Sequence, residues 1–394
     1  MEESHDLIYL DNAATTMTYK EVVDEMMDYF TDLYGNPSSV YEFAGKSRKA
    51  MEDARSLIAD TLGAKKEEIY FTAGGTESDN WALRSVSKEF GSKGKHIITS
   101  KIEHPAIMNT AGNLEELGFD VTYVNVDENG FIKLNELERA IRKDTILISV
   151  MAANNEIGTL QPIREIGRIA RKNNIVFHTD AVQMYGQLPI DVNEYNIDML
   201  SASAHKFHGP KGIGFLYVRE SVPVSSFIYG GGQENHKRAG TQNVPGIVGM
   251  ASAAGIAHKR MEEKRIQETW LRNYFVNRIL KEIPFSRLNG DRNRRLPGNV
   301  NISFQFVDAS ELLASLDMKG ICASSGSACS SHSTKPSHVL EAIGLPENLI
   351  YSTIRMTLSE STTKEQLDYV VEVLKEISSE YRENSSEYAE CFAF

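Results

Sequence analysis

Cysteine is scarce in this chain: three in 394 residues, at Cys322, Cys329 and Cys391. Three cannot build a disulfide scaffold, and no spacing makes a C-x-x-C redox pair or a zinc knuckle. Positive charge is also short. Lys and Arg total 42 against 54 Asp and Glu, a net charge of −12, which argues against direct nucleic-acid binding or a seat on anionic lipid. Long apolar runs are missing: the most apolar stretch, 244–257, holds Pro245 and several glycines and is too short to span ~30 Å of hydrocarbon. The opening residues, Met-Glu-Glu-Ser-His-Asp, have neither the basic region nor the apolar stretch of a signal peptide. Internal repeats and low-complexity tracts are absent apart from a Ser/Gly/Ala-rich segment at 324–333. These absences predict a soluble cytoplasmic protein in a reducing compartment. There a lone cysteine is either a small core residue or a reactive thiol, and its neighbours decide which.

What is present is the ordinary make-up of a globular protein, 41% hydrophobic and 24% charged, in a chain long enough for two domains. Short β-branched and apolar runs at 69–72, 96–99, 121–124, 146–150, 175–178, 199–202 and 213–218 alternate with amphipathic stretches such as 78–88, 134–142 and 163–172. That alternation predicts an α/β fold with a mostly parallel, doubly wound sheet. A long helical pattern from 248 to about 283 leads out of this unit. Beyond it, strands at 299–304, 321–323 and 352–358 and helices at 310–318 and 364–379 read as a smaller α+β unit.

Three motifs carry chemistry. Thr72-Ala-Gly-Gly75-Thr76-Glu-Ser78 follows a strand and opens a helix. Its glycines let the backbone approach an anion, and the helix N-terminus offers unpaired N–H groups; the same residues also suit a plain turn with a cap. Ile175-Val-Phe-His-Thr-Asp180-Ala-Val-Gln183 brings an acid to the carboxyl end of a strand, where open α/β sheets bind ligands. Such an Asp either caps the next helix or, when buried, needs a cation such as a protonated pyridine nitrogen. Ser201-Ala-Ser203-Ala-His205-Lys206-Phe-His208-Gly-Pro places Lys206 after another strand, among groups unlike those around a solvated surface lysine. A lysine there can serve as a Schiff-base amine, whereas Lys211 fits an exposed turn.

Together these motifs resemble the fold-type-I pyridoxal-phosphate (PLP) enzymes of the aminotransferase class V branch, with an aspartate-aminotransferase-like fold. Further segments narrow the resemblance: Ser-Ser-Gly-Ser-Ala-Cys329-Ser-Ser, Arg238-Ala-Gly-Thr241-Gln-Asn, Gly35-Asn36-Pro-Ser-Ser, Glu103-His104-Pro and Asn154-Asn155-Glu-Ile-Gly158. They are similar to those of the cysteine desulfurases of the NifS/IscS type, over a span from Tyr9-Leu-Asp-Asn-Ala-Ala-Thr-Thr16 to about residue 376. The resemblance implies a large PLP-binding domain at 16–258, and a small domain from 1–15 and 259–394 that carries the cysteine loop at 324–333.

It also implies roles. Lys206 would hold PLP and shuttle the substrate's protons, Asp180 would pair with the pyridine nitrogen, Gln183 would contact the ring's phenolic oxygen, and His104 would stack on the ring. Gly75, Thr76, Ser203 and His205 would hold the phosphate, Thr241 would reach it from the second subunit of a homodimer, and Asn155 would sit beside the ring. Asn36 and Arg355 would bind the carboxylate of L-cysteine. Arg355 has independent logic, because a guanidinium fork matches a carboxylate at two points; the bland alternative is a surface-pairing arginine on a strand. Cys329 would receive the sulfur as a persulfide, leaving L-alanine, and pass it to an acceptor such as an IscU/NifU/SufU-like scaffold for Fe–S cluster assembly. No metal is implied. Cys322, in an apolar run, is expected in the core, and Cys391, near the end, is expected to be adventitious.

Two alternatives stay open at this level. One is another PLP reaction, selenocysteine lyase or class V transamination, of which the latter needs no reactive thiol. The other is a non-catalytic sulfur carrier of the same fold, which an intact Lys206 with Asp180 argues against. Departures from the pattern are Ala152-Ala153 where a His-Val pair is frequent, His208 where Tyr is common, and a C-terminus without a Trp-Ala-His-His-like ending.

Overall fold

The computed structural model describes residues 7–325 and 336–391. Cys329 and most of its Ser/Gly/Ala-rich segment lie outside the described residues.

In chain order the strands are β1 (Ile8–Tyr9), β2 (Ile69–Thr72), β3 (His96–Ser100), β4 (Asp120–Val124), β5 (Thr145–Ser149), β6 (Val176–Asp180), β7 (Met199–Ser203), β8 (Gly214–Val218), β9 (Ser286–Leu288), β10 (Asn299–Phe304), β11 (Ile321–Cys322) and β12 (Thr353–Thr357). Seven of them form one sheet in the order β2-β8-β7-β6-β5-β3-β4. The pairs from β7 through β4 are all parallel, whereas β8 runs antiparallel to both β7 and β2. Every residue of β3, β5, β6, β7 and β8 is buried. Helices cover both faces, so these strands read as continuous apolar runs rather than as alternation.

The smaller unit has β10 between β12 and β9, all antiparallel, beside a two-stranded pair of β1 with β11. One 39-residue helix, Val244–Glu282, joins the two units. Its first half packs Ile247, Met250, Ala253 and Ala254 against the large sheet. Its second half packs Leu271, Phe275, Val276 and Ile279 into the small unit's core. The helix starts four residues before the expected helical pattern does. Asn243 caps it by accepting the Gly246 N–H at 3.1 Å, and Pro245 sits in the first turn, where no backbone donor is required.

Helices Lys20–Thr31 and Glu42–Leu62 go beyond those named from periodicity. In the first, Val22, Val23, Met26, Met27 and Phe30 recur at helical spacing along one side, but only Val22 is buried while Val23, Met27 and Phe30 are exposed. Strand β6 runs two residues past the expected end and so includes Asp180.

Cys322 requires a correction. It is half-buried rather than in the core, because Ile321 and its partner Ile8 take the buried side of the β1–β11 pair and the alternation of a strand turns Cys322, beside Tyr9, to the other side. Partial burial still pushes its thiol pKa up. Cys391 ends the helix Ser386–Cys391 and is exposed. Among the described residues no helix is long and apolar enough to cross a membrane.

Candidate active site

The carboxyl ends of β2, β3, β5, β6 and β7 lie on one edge of the large sheet, and each delivers part of one cavity. It encloses about 200 Å³ and is lined by Gly75, Thr76, His104, Asn155, Asp180, Gln183, Ser203, His205, Lys206 and Arg355, together with Ala13, Ala14, Asp79, Met151, Ala153 and Val182. Ten predicted residues therefore converge from segments up to 280 positions apart in the chain (355 − 75). Asn36 does not join them in this chain: it is exposed and its Oδ1 accepts the Ser38 N–H at 3.0 Å. Thr241 is also exposed and lines a separate cleft with Arg238 and Gly240. Lys211 is exposed, as its turn predicts.

The helix Gly75–Phe90 opens directly behind β2. Gly75 is required for close approach, since a Cβ there would sit 2.6 Å from Val182 Cγ2. Thr76, Ser203 and His205 lie around this helix start, and Arg238 closes its outer side with a two-point ion pair to Glu77 at 2.8 and 3.0 Å. His205 is held by Thr15 Oγ1 at 3.1 Å. Burial, helped by the charge of Lys206, pushes its pKa down to about 4.

Asp180 is 6% exposed, and its Oδ1 accepts the Val182 N–H at 2.9 Å. It thus makes the turn-capping contact as well as facing the cavity. Burial raises its pKa, while His104, Val182 N–H and Lys206 pull the other way. His104 likewise has two roles: its Nδ1 caps the helix Pro105–Glu116 by accepting the Ala106 N–H at 3.1 Å, and its ring lines the cavity. Burial lowers its pKa, so the neutral ring is favoured.

Lys206 sits at the end of a single 3-10 turn, and its Nζ donates to the carbonyls of Ala13 at 2.5 Å and Ala14 at 2.7 Å. Gln183 Nε2 also donates to Ala13 at 3.0 Å. The N-terminal segment is therefore part of the site, although the sequence assigns it no role. Its clue is composition: Asn-Ala-Ala-Thr-Thr has little bulk, which lets its main-chain carbonyls approach other groups closely.

Arg355 is 1% exposed on β12, and its guanidinium donates to Asn155 O at 3.1 Å and Asp11 Oδ1 at 2.8 Å. It is ion-paired with Asp11, but at this burial it is not the surface-pairing arginine of the bland alternative, and it lines the cavity. Ser324, just before the segment 326–335, exchanges two main-chain hydrogen bonds with Arg355. Ser337, just after that segment, donates to Glu156 Oε2 at 2.6 Å, and His338 Nε2 lies 2.9 Å from Glu103 O.

Beneath the cavity lies a buried polar layer that sequence reading did not reveal. His178 is fully buried between Ser149 Oγ at 2.9 Å and Ser201 Oγ at 3.0 Å, with Asp79 Oδ1 3.7 Å away. Asp79 is 1% exposed, that oxygen has no hydrogen-bond partner, and burial pushes its carboxyl strongly upward. Glu103 accepts from Ser100 Oγ at 2.5 Å and from Met151 N–H, yet burial still raises its pKa to about 8. Among the described residues no group of His, Cys, Asp and Glu is placed to hold a metal ion.

This layer predicts a pH signature. Burial takes the His178 pKa down to about 3, against about 6.5 in an unfolded chain. Between those values the unfolded state binds the extra proton, so His178's contribution is complete above pH 6.5 and is lost as pH falls toward 3. Glu103, raised, acts oppositely: its contribution is complete below the unfolded value and is lost as pH rises through about 8. The His178 part is isolated by comparing His178→Asn with the wild type. The variant's unfolding free energy should fall less steeply below pH 6.5, by ~1.4 kcal/mol per pH unit. Parallel slopes from chemical unfolding series would contradict a buried neutral His178.

Comparison with known proteins bears on this geometry. The family model described as aminotransferase class-V matches residues 8–370. The chain is 51% identical over 378 residues to the cysteine desulfurase IscS of Methanosarcina thermophila, covering 96% of this chain and 93% of that protein. It is 50% identical over 375 residues to the cysteine desulfurase IscS of Dictyoglomus turgidum, covering 95% of each. Among solved structures it is similar to a NifS-like protein with a TM-score of 0.90 at 39% identity, covering 95% of this chain and 99% of that one.

Proposed function

Because this chain belongs to the aminotransferase class-V family, and within it to the cysteine desulfurases, we propose that it converts L-cysteine to L-alanine with Lys206 holding PLP and Cys329 accepting the sulfur. The observation that carries this reading is the convergence of Lys206, Asp180, His104 and Arg355 on one cavity, with small-residue backbone at a helix start on its far side.

The residues suit the cofactor. Asp180 is a buried carboxylate whose desolvation calls for a cation, which a protonated pyridine nitrogen provides. The close packing of Gly75 on Val182 leaves the N–H groups at the helix start open to a phosphate, with Thr76, Ser203 and His205 beside them. Gln183 would meet the phenolic oxygen, Asn155 would flank the ring, and the neutral ring of His104 would stack on it. PLP, when bound, supplies an electron sink for negative charge at the substrate's α-carbon.

The chain's own residues do the rest. Arg355 binds and orients the substrate carboxylate, with Asn36 contributing where a second subunit or a change in its loop brings it near. Lys206, with its amine at the Ala13 and Ala14 carbonyls, moves the α-proton. The thiolate of Cys329 attacks the substrate sulfur. An S–S bond forms, the Cβ–S bond breaks, and its electron pair stays with the three-carbon fragment, which is protonated and leaves as alanine. Support for Cys329 comes from its flanks, since Ser324 is bonded to Arg355 and Ser337 to Glu156 beside Asn155.

A homodimer is part of this proposal. Thr241 is exposed and away from its own chain's cavity, and Met27, Phe30, Tyr34, Val40 and Tyr41 expose more than half of their surface close together in sequence. The proposed setting is the cytoplasm, with an IscU/NifU/SufU-like scaffold as sulfur acceptor. The test is direct. PLP-loaded protein given L-cysteine and a thiol reductant should release alanine and sulfide in a 1:1 ratio over many turnovers. Pyruvate in place of alanine, or alanine without sulfur mobilisation, would overturn the reading.

A further inference from the structure

Asp11 is absorbed by none of the roles above, yet it holds the centre of a short network. It follows β1 and bridges to Thr357 at the end of β12. Its Oδ1 accepts from Arg355 Nη2 at 2.8 Å and its Oδ2 accepts from Ser324 Oγ at 2.8 Å. The backbone around it is pinned as well: Asn12 Nδ2 donates to Thr357 O and Ala13 N–H to Thr357 Oγ1, both at 2.8 Å.

The consequence for Arg355 follows from donor counting. A guanidinium carries two N–H groups on each terminal nitrogen. Asp11 takes one from Nη2 and Asn155 O takes one from Nη1. Each terminal nitrogen keeps a second N–H, and the buried Nε–H has no partner among the described residues, so the planar fork retains donors for the two oxygens of a carboxylate. An arginine side chain has four rotatable bonds, and without Asp11 only the Asn155 carbonyl would hold the fork among the described residues. At 1% exposure Arg355 also has little water to replace that partner.

We propose that Asp11 is a positioning residue for substrate binding, holding the Arg355 fork so that its remaining N–H pair meets the substrate's α-carboxylate. This rests on the reading that Arg355 takes that carboxylate. It assigns Asp11 an effect on substrate affinity rather than on the chemical step, because Asp11 touches Arg355 and Ser324 and not the reacting atoms.

The experiment measures steady-state kinetics of the PLP-loaded enzyme alongside the absorbance change of bound PLP on titration with L-alanine, a carboxylate ligand that carries no sulfur. Asp11→Ala should raise KM for cysteine and the half-saturation for alanine by about tenfold, with kcat within about threefold. Asp11→Asn, which keeps an oxygen for Nη2, should recover most of that loss. Ser324→Ala, which frees one side of Asp11 only, should move KM about twofold and serves as the milder probe should Asp11→Ala lose PLP. A fall in thermal stability with KM and alanine affinity unchanged in Asp11→Asn and Ser324→Ala as well would make Asp11 purely structural and overturn the proposal. Arg355→Lys separates the two levels. If it leaves KM unchanged, the assignment of Arg355 fails; if it raises KM while Asp11→Ala does not, only the role of Asp11 fails.

Discussion

Lys206→Ala should abolish alanine formation, with a loss of ~10³-fold or more, the scale expected when a group that both anchors a reactant and moves its proton is removed. Two things disappear with the side chain. The first is the only primary amine lining the cavity among the described residues. The second is the donor to the Ala13 and Ala14 carbonyls, which ties the N-terminal segment to the turn after β7. Lys206→Arg separates these effects, because a guanidinium keeps the charge and can reach a carbonyl but cannot form the covalent link. Both variants should lose the absorbance of protein-bound PLP and retain near-normal thermal unfolding, with the arginine variant the more stable of the two. Full turnover in Lys206→Ala would remove PLP chemistry from this cavity altogether.

The second large effect is at Cys329. Cys329→Ala should keep the PLP absorbance and its response to L-cysteine, while sulfide release falls by ~10²-fold or more. In the proposed mechanism the cofactor, carboxylate and proton-transfer groups belong to other residues, so only the sulfur-accepting step should be lost. The other two cysteines are natural controls. Cys322 is half-buried, and burial raises its thiol pKa, which lowers its thiolate fraction near neutral pH. Cys391 is exposed at the end of the last helix and outside the cavity lining. Cys322→Ala and Cys391→Ala should therefore release sulfide at close to the parent rate. Unchanged release from Cys329→Ala would sink the persulfide mechanism, and loss of release in Cys322→Ala instead would move the acceptor to that thiol.

The large sheet was legible because its strands are buried on both faces. Runs such as Ile-Leu-Ile in β5 and Met-Leu at the start of β7 stand out as apolar blocks between amphipathic helices. The functional residues at the strand ends were legible for a related reason: a charged residue at or just beyond the carboxyl end of such a strand, as at Asp180 and Lys206, stands where open α/β sheets bind ligands or where a turn is capped. His104 and Asp180 line the cavity and each also caps a turn or helix start. The helix Lys20–Thr31 also carries its period in the sequence, but most of its apolar stripe is exposed rather than packed on the core. The two-stranded β1–β11 pair, four residues in all, is too short to carry a pattern.

Some features had no sequence signal at all. Asp79 lies on a helix among ordinary polar residues, and only packing buries it at 1% exposure beside a neutral His178. Asp11 and Ser324 are 313 positions apart, and nothing in either segment announces that they share a hydrogen bond. The same holds for the Arg355 contacts to Asp11 and Asn155, which span 344 and 200 positions.

The sequence by itself determined the class of fold, the family and the set of residues at the carboxyl ends of the strands, because those depend on local pattern and residue type. Only the tertiary structure decided which of these residues share a cavity, that Asn36 and Thr241 lie away from it within one chain, that Cys322 is half-buried rather than core, and which carboxylate holds Arg355. Burial and desolvation are properties of everything packed around a group. A chain segment carries its own donors, acceptors and charges, but the company those groups keep is set only when distant segments close around them.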